Sequence, residues 1–192
     1  MDIHVVRPGD TLYGIAVRYQ ADPAVLQELN GLSPDSVLAV GQTVVIRHVD
    51  TFHTVQPGQT LAGIAGLYGV PLRRLYRNNF DLGGQPAIQP GRRLVIAYRD
   101  PPGRSAHTNG YAYPFISRAL LSAQLPYMSF LTPFTYGIDA SGGLLPLEDA
   151  MLLEEARRLG TAPLMHLSTL TETDSFSSDR AVMVLTDPSM QE

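Results

Sequence analysis

The residues best suited to chemistry lie in two copies of one short run, Gly9-Asp10-Thr11-Leu12 and Gly58-Gln59-Thr60-Leu61. Glycine lets a ligand approach backbone N–H and C=O groups closely, and leucine offers an apolar edge beside them. The same residues have a structural use, because Asp10 or Thr11 can accept hydrogen bonds from the unpaired N–H groups at the start of a helix. The runs therefore indicate a turn and helix cap that also have the composition of a binding surface.

Catalytic and metal-binding chemistry has little support elsewhere in the chain. The histidines are His4, His48, His53, His107 and His166. Their spacing is not that of metal ligands, and cysteine is absent, so we expect neither a metal nor a cofactor. Ser168 and Thr169 lack a nearby base, so no nucleophile can be argued. His166 lies in an apolar stretch and is expected to be a hydrogen-bonded core residue.

The composition of the 192 residues is that of an ordinary globular protein, with 44% hydrophobic and 17% charged residues. The net charge of −4 is spread unevenly, with −3 on residues 1–50, +4 on residues 51–100 and −5 on residues 101–192. No part is strongly basic, so a nucleic-acid partner has no electrostatic support. The chain shows neither an apolar run of the ~20 residues that a membrane span needs nor a cleavable signal peptide. We expect no membrane association.

The two runs belong to an internal repeat with an offset of 49 residues. Gly14-Ile15-Ala16 recurs as Gly63-Ile64-Ala65, and a repeated proline, Pro23 or Pro71, is expected at the first position of the second helix. Each copy predicts a strand, two helices and a return strand, because a β-prone start is followed by a Pro-Gly turn and then by helical apolar spacing. We expect two α+β modules of βααβ type, residues 1–49 and 50–98.

The repeated pattern Pro-Gly-Asp-Thr-Leu…Ile-Ala…Tyr…Asn…Gly-Gln-x-x-x-Ile resembles the LysM module. In that family a glycan lies in a shallow groove between the first strand–helix loop and the second helix–strand loop. The resemblance implies binding of an N-acetylglucosamine polymer, peptidoglycan or chitin-like, by both copies. In module one it implicates Gly9, Asp10, Thr11, Leu12, Asn30, Gly31 and Leu32. In module two it implicates Gly58, Gln59, Thr60, Leu61, Asn79, Phe80 and Ile88. Module two departs from the pattern at Gln59 and carries a longer insertion at residues 82–86.

The composition changes after the repeat. Residues 99–108 are rich in proline and small polar residues and are expected to be a linker. Beyond it the sequence predicts strands at 109–116, 127–132 and 162–170, with helices at 118–124 and 147–159. The acids of the second helix, Glu148, Asp149, Glu154 and Glu155, are expected to face solvent. This order is typical of the opening of an α/β barrel or a doubly wound sheet.

This part of the chain contains the strings Asn109-Gly110-Tyr111-Ala112-Tyr113-Pro114, Thr132-Pro133-Phe134-Thr135-Tyr136-Gly137 and Ala162-Pro163-Leu164-Met165-His166-Leu167. They resemble the start of a family 18 glycoside hydrolase barrel, in particular that of spore cortex-lytic N-acetylglucosaminidases, which place two LysM modules ahead of it. The resemblance implies an incomplete α/β (TIM-barrel-like) segment at residues 109–192, because a complete barrel needs about 250 residues. The family's acid signature, D-G-x-x-D-x-D-x-E, is absent. We therefore expect a fragment with no catalytic residue and no activity of its own. Tyr111 and Tyr113 share a strand face and either line the barrel mouth or fill its core.

Three functional hypotheses follow from these patterns. In the first, the LysM pair targets a hydrolase to the bacterial cell wall or spore cortex, and the catalytic part is missing from this chain. In the second, the protein is a non-enzymatic wall-binding or spore-coat protein. In the third, the modules only anchor other proteins. The order of the motifs favours the first hypothesis, with a monomeric protein located at the cell wall or at the spore cortex or coat.

Overall fold

The computed structural model describes residues 1–33, 35–100, 106–170 and 175–188. The chain forms two compact units, Met1–Ser105 and Ala106–Glu192. The first unit contains both copies of the repeat. Residues 101–105 of the expected linker lie outside the described residues.

The first copy of the repeat has the expected order of elements. It contains strand β1 (Asp2–Val5), helices α1 (Leu12–Tyr19) and α2 (Pro23–Leu29), and strand β2 (Thr43–Ile46). β1 and β2 pair antiparallel, with His4 opposite Val44. The apolar face of α1 packs on this two-stranded sheet. The shared core consists of Val6, Leu12, Ile15, Ala16, Leu26, Val44 and Ile46.

The second copy repeats the arrangement, with a short 3₁₀ turn added at Phe80–Leu82. It contains β3 (Val49–Thr54), α3 (Leu61–Leu67), α4 (Leu72–Asn78) and β4 (Arg93–Tyr98). The start of its second helix differs from that of the first copy. In α2 the Asp22 side chain caps the helix and Pro23 is its first residue, whereas in α4 Pro71 itself occupies the cap position and makes no side-chain hydrogen bond. The repeated proline therefore has different roles in the two copies.

The two copies contact each other through polar groups. Only Arg47 and His48 separate β2 from β3. Arg93 pairs with Asp22 at 2.9 Å, and the Asp81 N–H donates to the Glu28 carboxylate at 3.3 Å. Burial and the neighbouring Asp81 carboxylate raise the pKa of Glu28. The Arg93–Asp22 ion pair thus joins the basic second copy to the acidic first copy.

The second unit opens with alternating strands and helices. Its elements are β5 (Asn109–Ala112), α5 (Arg118–Gln124), a 3₁₀ turn at Leu125–Tyr127, β6 (Phe130–Pro133), β7 (Gly137–Ile138), β8 (Leu144–Leu145), α6 (Ala150–Leu159), β9 (Ala162–Pro163) and α7 (Ser178–Thr186). β5, β6 and β9 form a parallel sheet in that order, and β7 and β8 form a small antiparallel hairpin. The described residues contain no closed barrel, and the strands are shorter than expected. Pro133 and Pro163 lack the N–H group that would extend the ladder at the ends of β6 and β9.

The expectation that the four acids Glu148, Asp149, Glu154 and Glu155 face solvent is wrong for two of them. Glu148 and Glu154 are exposed, but Asp149 and Glu155 are buried. Glu155 receives hydrogen bonds from Arg118 at 2.7 Å and from the Ser122 hydroxyl at 2.6 Å, and Arg158 completes the cluster. This cluster joins α5 to α6. None of the helices in the described part of the chain has the length and apolar character that crossing a membrane requires.

Candidate functional site

The loop between β1 and α1 is closed by the carboxylate of Asp10. One oxygen, Oδ2, accepts from the Arg7 N–H at 2.8 Å and lies 2.8 Å from His4 Nε2. The other, Oδ1, lies 3.3 Å from the Arg18 guanidinium. The backbone N–H of Arg7, then His4 and Arg18, hold the pKa of Asp10 below its ordinary value. Asp10 is therefore a charged, fixed part of the loop.

Thr11, the next residue, is the cap of α1. Its hydroxyl accepts from the Gly14 N–H at 3.0 Å. The sequence left the capping role open between Asp10 and Thr11, and the structure assigns it to Thr11. Gly9 has a φ of 84°, a conformation that glycine adopts without strain. Together these residues fix the backbone at which a ligand would be held.

A groove of about 420 Å³ lies beside this loop. Its lining comes from the start of α1, from α2 and from the loop between α2 and β2. The lining residues are Asp10, Thr11, Leu12, Tyr13, Pro23, Gln27, Asp35, Ser36, Val37 and Leu38. The groove therefore lies between the two loops that the sequence implicated, and it combines carboxylate, hydroxyl and amide groups with apolar surface.

The groove contains only part of the residue set expected for module one. Asp10, Thr11 and Leu12 line it, although most of the Leu12 side chain is buried in the core. Asn30 instead joins α2 to β2, because its amide nitrogen donates to the carbonyls of Leu26 and Val45 and its oxygen accepts from the Val45 N–H, each at 2.8 Å. Gly31 and Leu32 are not in the lining.

The sequence did not predict the residues on the far side of the groove. It did not single out Tyr13, Pro23, Gln27, Asp35, Ser36, Val37 and Leu38 as lining residues. Val37 is 94% exposed, but the apolar run Val37-Leu38-Ala39-Val40 to which it belongs gives no signal of that exposure. Tyr13 could have been found from its position directly after the Asp-Thr-Leu run, outside the apolar face of α1.

Module two reproduces the same loop without the charge. The Gln59 side-chain oxygen accepts from the Gln56 N–H at 2.8 Å and lies 2.8 Å from His53 Nε2. The Thr60 hydroxyl caps α3 by accepting from the Gly63 N–H at 3.1 Å. Gly58 has a φ of 81°, close to that of Gly9. The substitution of Gln59 for Asp10 therefore conserves the loop geometry and removes a negative charge.

The other expected residues of module two have mixed environments. Leu61 is buried, Ile88 is half-buried and Phe80 is 38% exposed at the start of the 3₁₀ turn. Asn79 is 2% exposed, and its amide bonds the carbonyls of Leu75 and Val95 and the Val95 N–H. The Asn79 side chain thus joins α4 to β4, as Asn30 joins α2 to β2.

In the second unit, aromatic side chains gather at the carboxyl ends of β5 and β6. Tyr111 is 63% exposed and Tyr113 is 51% exposed. The Tyr113 ring stacks on Phe115 at 5.0 Å between centroids, and Phe134 stacks on His166 at 5.2 Å. The two tyrosines, which could have lined a cleft or filled a core, are thus at the surface of the described residues.

His166 is half-buried beside these rings, rather than in the core as expected. Its Nδ1 lies 2.7 Å from the Thr135 hydroxyl, so the expected hydrogen bond is present. At the residue after Thr135, the Tyr136 hydroxyl donates to the Asp149 carboxylate, and this bond raises the pKa of Tyr136. In the described part of the chain, no group of three or more His, Asp or Glu side chains is arranged to hold a metal ion.

The repeat, its fold and its capped loops match a known domain family. The model of the LysM domain matches residues 4–47 and 53–97. The chain contains two LysM domains. The boundaries agree with the repeat seen in the sequence, and the match covers both copies of the loop that carries Thr11 and Thr60.

Similar proteins extend the likeness beyond the LysM pair. A Bacillus subtilis protein, YdhD, whose name describes a sporulation-specific glycosylase, is 32% identical over 98% of this chain and 44% of its own length. The cortical fragment-lytic enzyme of Bacillus anthracis is 30% identical over 100% of this chain and 45% of its own length. The crystal structure of the Bacillus cereus spore cortex-lytic enzyme SleL matches 99% of this chain and 45% of that chain, with 27% identity and a TM-score of 0.57.

These matches establish homology to spore cortex-lytic enzymes over nearly the whole chain. The chain spans a little under half the length of these relatives. The homology therefore includes the second unit as well as the LysM domains, while more than half of each relative has no counterpart in these 192 residues.

Proposed function

We propose that the LysM pair binds the N-acetylglucosamine-containing glycan of bacterial cell wall or spore cortex and so holds a glycan-hydrolysing domain on its substrate. The observation that supports this most directly is the groove of module one, which lies beside the capped loop and is lined by Asp10, Thr11 and Tyr13. Its carboxylate, hydroxyl and amide groups suit sugar hydroxyl and acetamido groups, while its apolar residues suit the acetamido methyl group.

The second unit is proposed to be the opening of that domain, of the family 18 glycoside hydrolase type. Support comes from the parallel order of β5, β6 and β9 with helices between them, and from the homology to cortex-lytic enzymes. In α/β folds ligands bind at the carboxyl ends of parallel strands, where Tyr111 and Tyr113 lie. We assign these two tyrosines to the edge of the substrate cleft.

Catalysis is assigned to the part of the relatives that these residues do not match. The acid signature of the family is absent from this sequence. Glu155, the most buried acid among the described residues, is held by Arg118, Arg158 and Ser122 on the helices rather than at the strand ends. Its surroundings suit a structural ion cluster and lack access for a sugar.

Binding of the full 192-residue chain to an N-acetylglucosamine hexamer tests the proposal. Isothermal titration should show binding, and sedimentation should show retention on insoluble peptidoglycan or chitin without release of reducing sugar. Cellulose, which lacks acetamido groups, is the matched control and should retain much less protein. Equal retention on cellulose, or no retention on either N-acetylglucosamine polymer, would exclude the proposed glycan specificity.

A further inference from the structure

The walls of the groove in module one carry two apolar side chains with unusually high exposure. Tyr13 is 70% exposed and Val37 is 94% exposed, and both line the groove. The backbone of Tyr13 is fixed because it lies in the first turn of α1, directly after the Thr11 cap and the buried Leu12. An aromatic ring is thus held at the groove by a rigid element.

Module two conserves the loop but not these two side chains. The offset of 49 places Ala62 at the position of Tyr13, and the offset of 50 after the insertion places Ala87 at the position of Val37. Both alanines are exposed. The threonine cap, the left-handed glycine and the histidine-bound acceptor are the same in both modules. The apolar area offered to a ligand is therefore one difference between the modules at the groove. Other lining residues also differ: Gln59 replaces Asp10, the buried Tyr76 replaces Gln27, and Pro86 replaces Ser36.

A tyrosine ring is suited to one part of a sugar polymer, the apolar C–H face of a pyranose ring. Tyrosine presents a large, rigid apolar face with a polar tip, which allows contact with a ligand that is partly apolar and partly wet. A polar lining beside it, here Thr11, Gln27 and Ser36, can then bond the sugar's hydroxyl and amide groups. Alanine offers neither the area nor the tip.

We propose that Tyr13, with Val37, is the main affinity-determining contact of the LysM pair, and that module one is the high-affinity site while module two is the weak one. This inference rests on the proposed glycan binding and assigns it unequally to the two domains. Tyr13 stacks on a pyranose ring of an N-acetylglucosamine polymer. Module two adds avidity on a long polymer through its own shallower surface.

Titration of the full chain and its variants with an N-acetylglucosamine hexamer tests this assignment. Tyr13→Ala should weaken the tighter binding step about ten-fold or more, the change expected when an aromatic contact at the centre of a site is removed. Tyr13→Phe should retain most of the affinity, because the ring remains. Val17→Ala, on the same helix at a 59% exposed side chain outside the groove lining, is the matched control and should bind like the parent.

The converse variant, Ala62→Tyr, should strengthen the weaker step and bring the two modules closer in affinity. Thermal melting of each variant checks that the fold is kept, which is expected because both positions are exposed. If the parent binds and Tyr13→Ala binds equally well, the inference is overturned while the proposed function stands. If the parent itself does not bind the hexamer or the insoluble polymer, the proposed function fails and the inference with it.

Discussion

Two equivalent residues, Asp10 and Gln59, show what the LysM loop requires at that position. Each side-chain oxygen accepts from a backbone N–H three residues earlier and contacts a histidine on the first strand, at matching distances of 2.8 Å. The loop therefore needs an oxygen acceptor, whereas a negative charge is optional. In module one the Arg18 guanidinium also pairs with Asp10, whereas Leu67 occupies the position equivalent to Arg18 in module two.

The charge of Asp10 makes the stability of module one depend on pH. The pKa of Asp10 is lowered from 3.8 in the fold. Its contribution is therefore fully present above that value and is lost as the pH falls through the lower folded pKa. Asp10→Asn should reduce the melting temperature at neutral pH, and the difference from the parent should shrink towards zero in strong acid. Thermal unfolding followed by circular dichroism over this range measures it.

The matched control for that prediction is Gln59→Asn, which shortens the equivalent side chain in module two without changing its charge. Its melting difference from the parent should stay constant with pH. A difference between Asp10→Asn and the parent that is equally large in strong acid would show that the carboxylate contributes through its shape alone.

The sequence predicts the residues that the backbone requires at turns and helix caps better than it predicts the residues that line a binding groove. The turn glycines, the threonine caps and the buried leucines follow from local rules of turns and helices. The roles of Asn30 and Asn79 did not, because their bonds reach a return strand about 15 residues away in the chain. The groove walls at residues 35–38 depend on the path of an irregular loop, which periodicity does not predict.

Among the elements, helices were more predictable than strands. The bounds of α5 agree with the expected residues 118–124, and α6 begins at Ala150 within the expected residues 147–159. The expected strand at 162–170 is reduced to two residues in β9, followed by irregular backbone. An apolar run predicts burial, but the length of a strand depends on its pairing with a partner strand, which the run alone does not determine.

The burial of Glu155 was readable from the spacing of α6. Leu152, Glu155, Ala156 and Leu159 follow the i, i+3, i+4, i+7 pattern of one helix face. Burial raises the pKa of Glu155, but hydrogen bonds from Arg158 and Ser122, with the charges of both arginines, outweigh it and lower the pKa overall. Glu155 is thus an ionised group on an otherwise apolar face.

Removal of this carboxylate should destabilise the second unit. Glu155→Ala removes the acceptor of the Ser122 hydroxyl and one partner each of Arg118 and Arg158. The expected cost is about 1–3 kcal/mol, less than for a fully buried pair because both arginines are partly exposed. Glu154→Ala is the control, since that side chain is 65% exposed and solvent screens its pair with Arg118, so its loss should change stability little. Urea denaturation gives both values, and equal effects would contradict the assigned role.

At the scale of the whole molecule, the two units differ in how much apolar surface they bury. Strands β3 and β4 are six residues long and pair at five positions, and each LysM domain has a core of buried apolar side chains. In the second unit, α7 has no buried residue, and several large apolar side chains are exposed. These include Leu164, Met165, Leu167, Phe176, Val182 and Leu185.

Amide hydrogen exchange of the full chain should reflect this difference. We expect α7 and β9 to exchange fastest among the described helices and strands, and β3–β4 to be among the slowest, because local opening costs little where few apolar contacts are lost. Mass spectrometry of peptic fragments resolves the two units. Equally strong protection in both would mean that the second unit is stabilised by contacts beyond those described.

The start and end of the LysM pair meet beside the link between the two domains. The Met1 amino group pairs with Asp100, Asp100 also faces Arg47, and Asp2 lies beside His48. A domain whose ends lie close together can be circularly permuted, because a short linker can join the original ends and new termini can be placed in a surface loop. The pair is therefore suited to circular permutation, with new termini at the exposed loop around Gln85, and to insertion as a self-contained cassette within another protein.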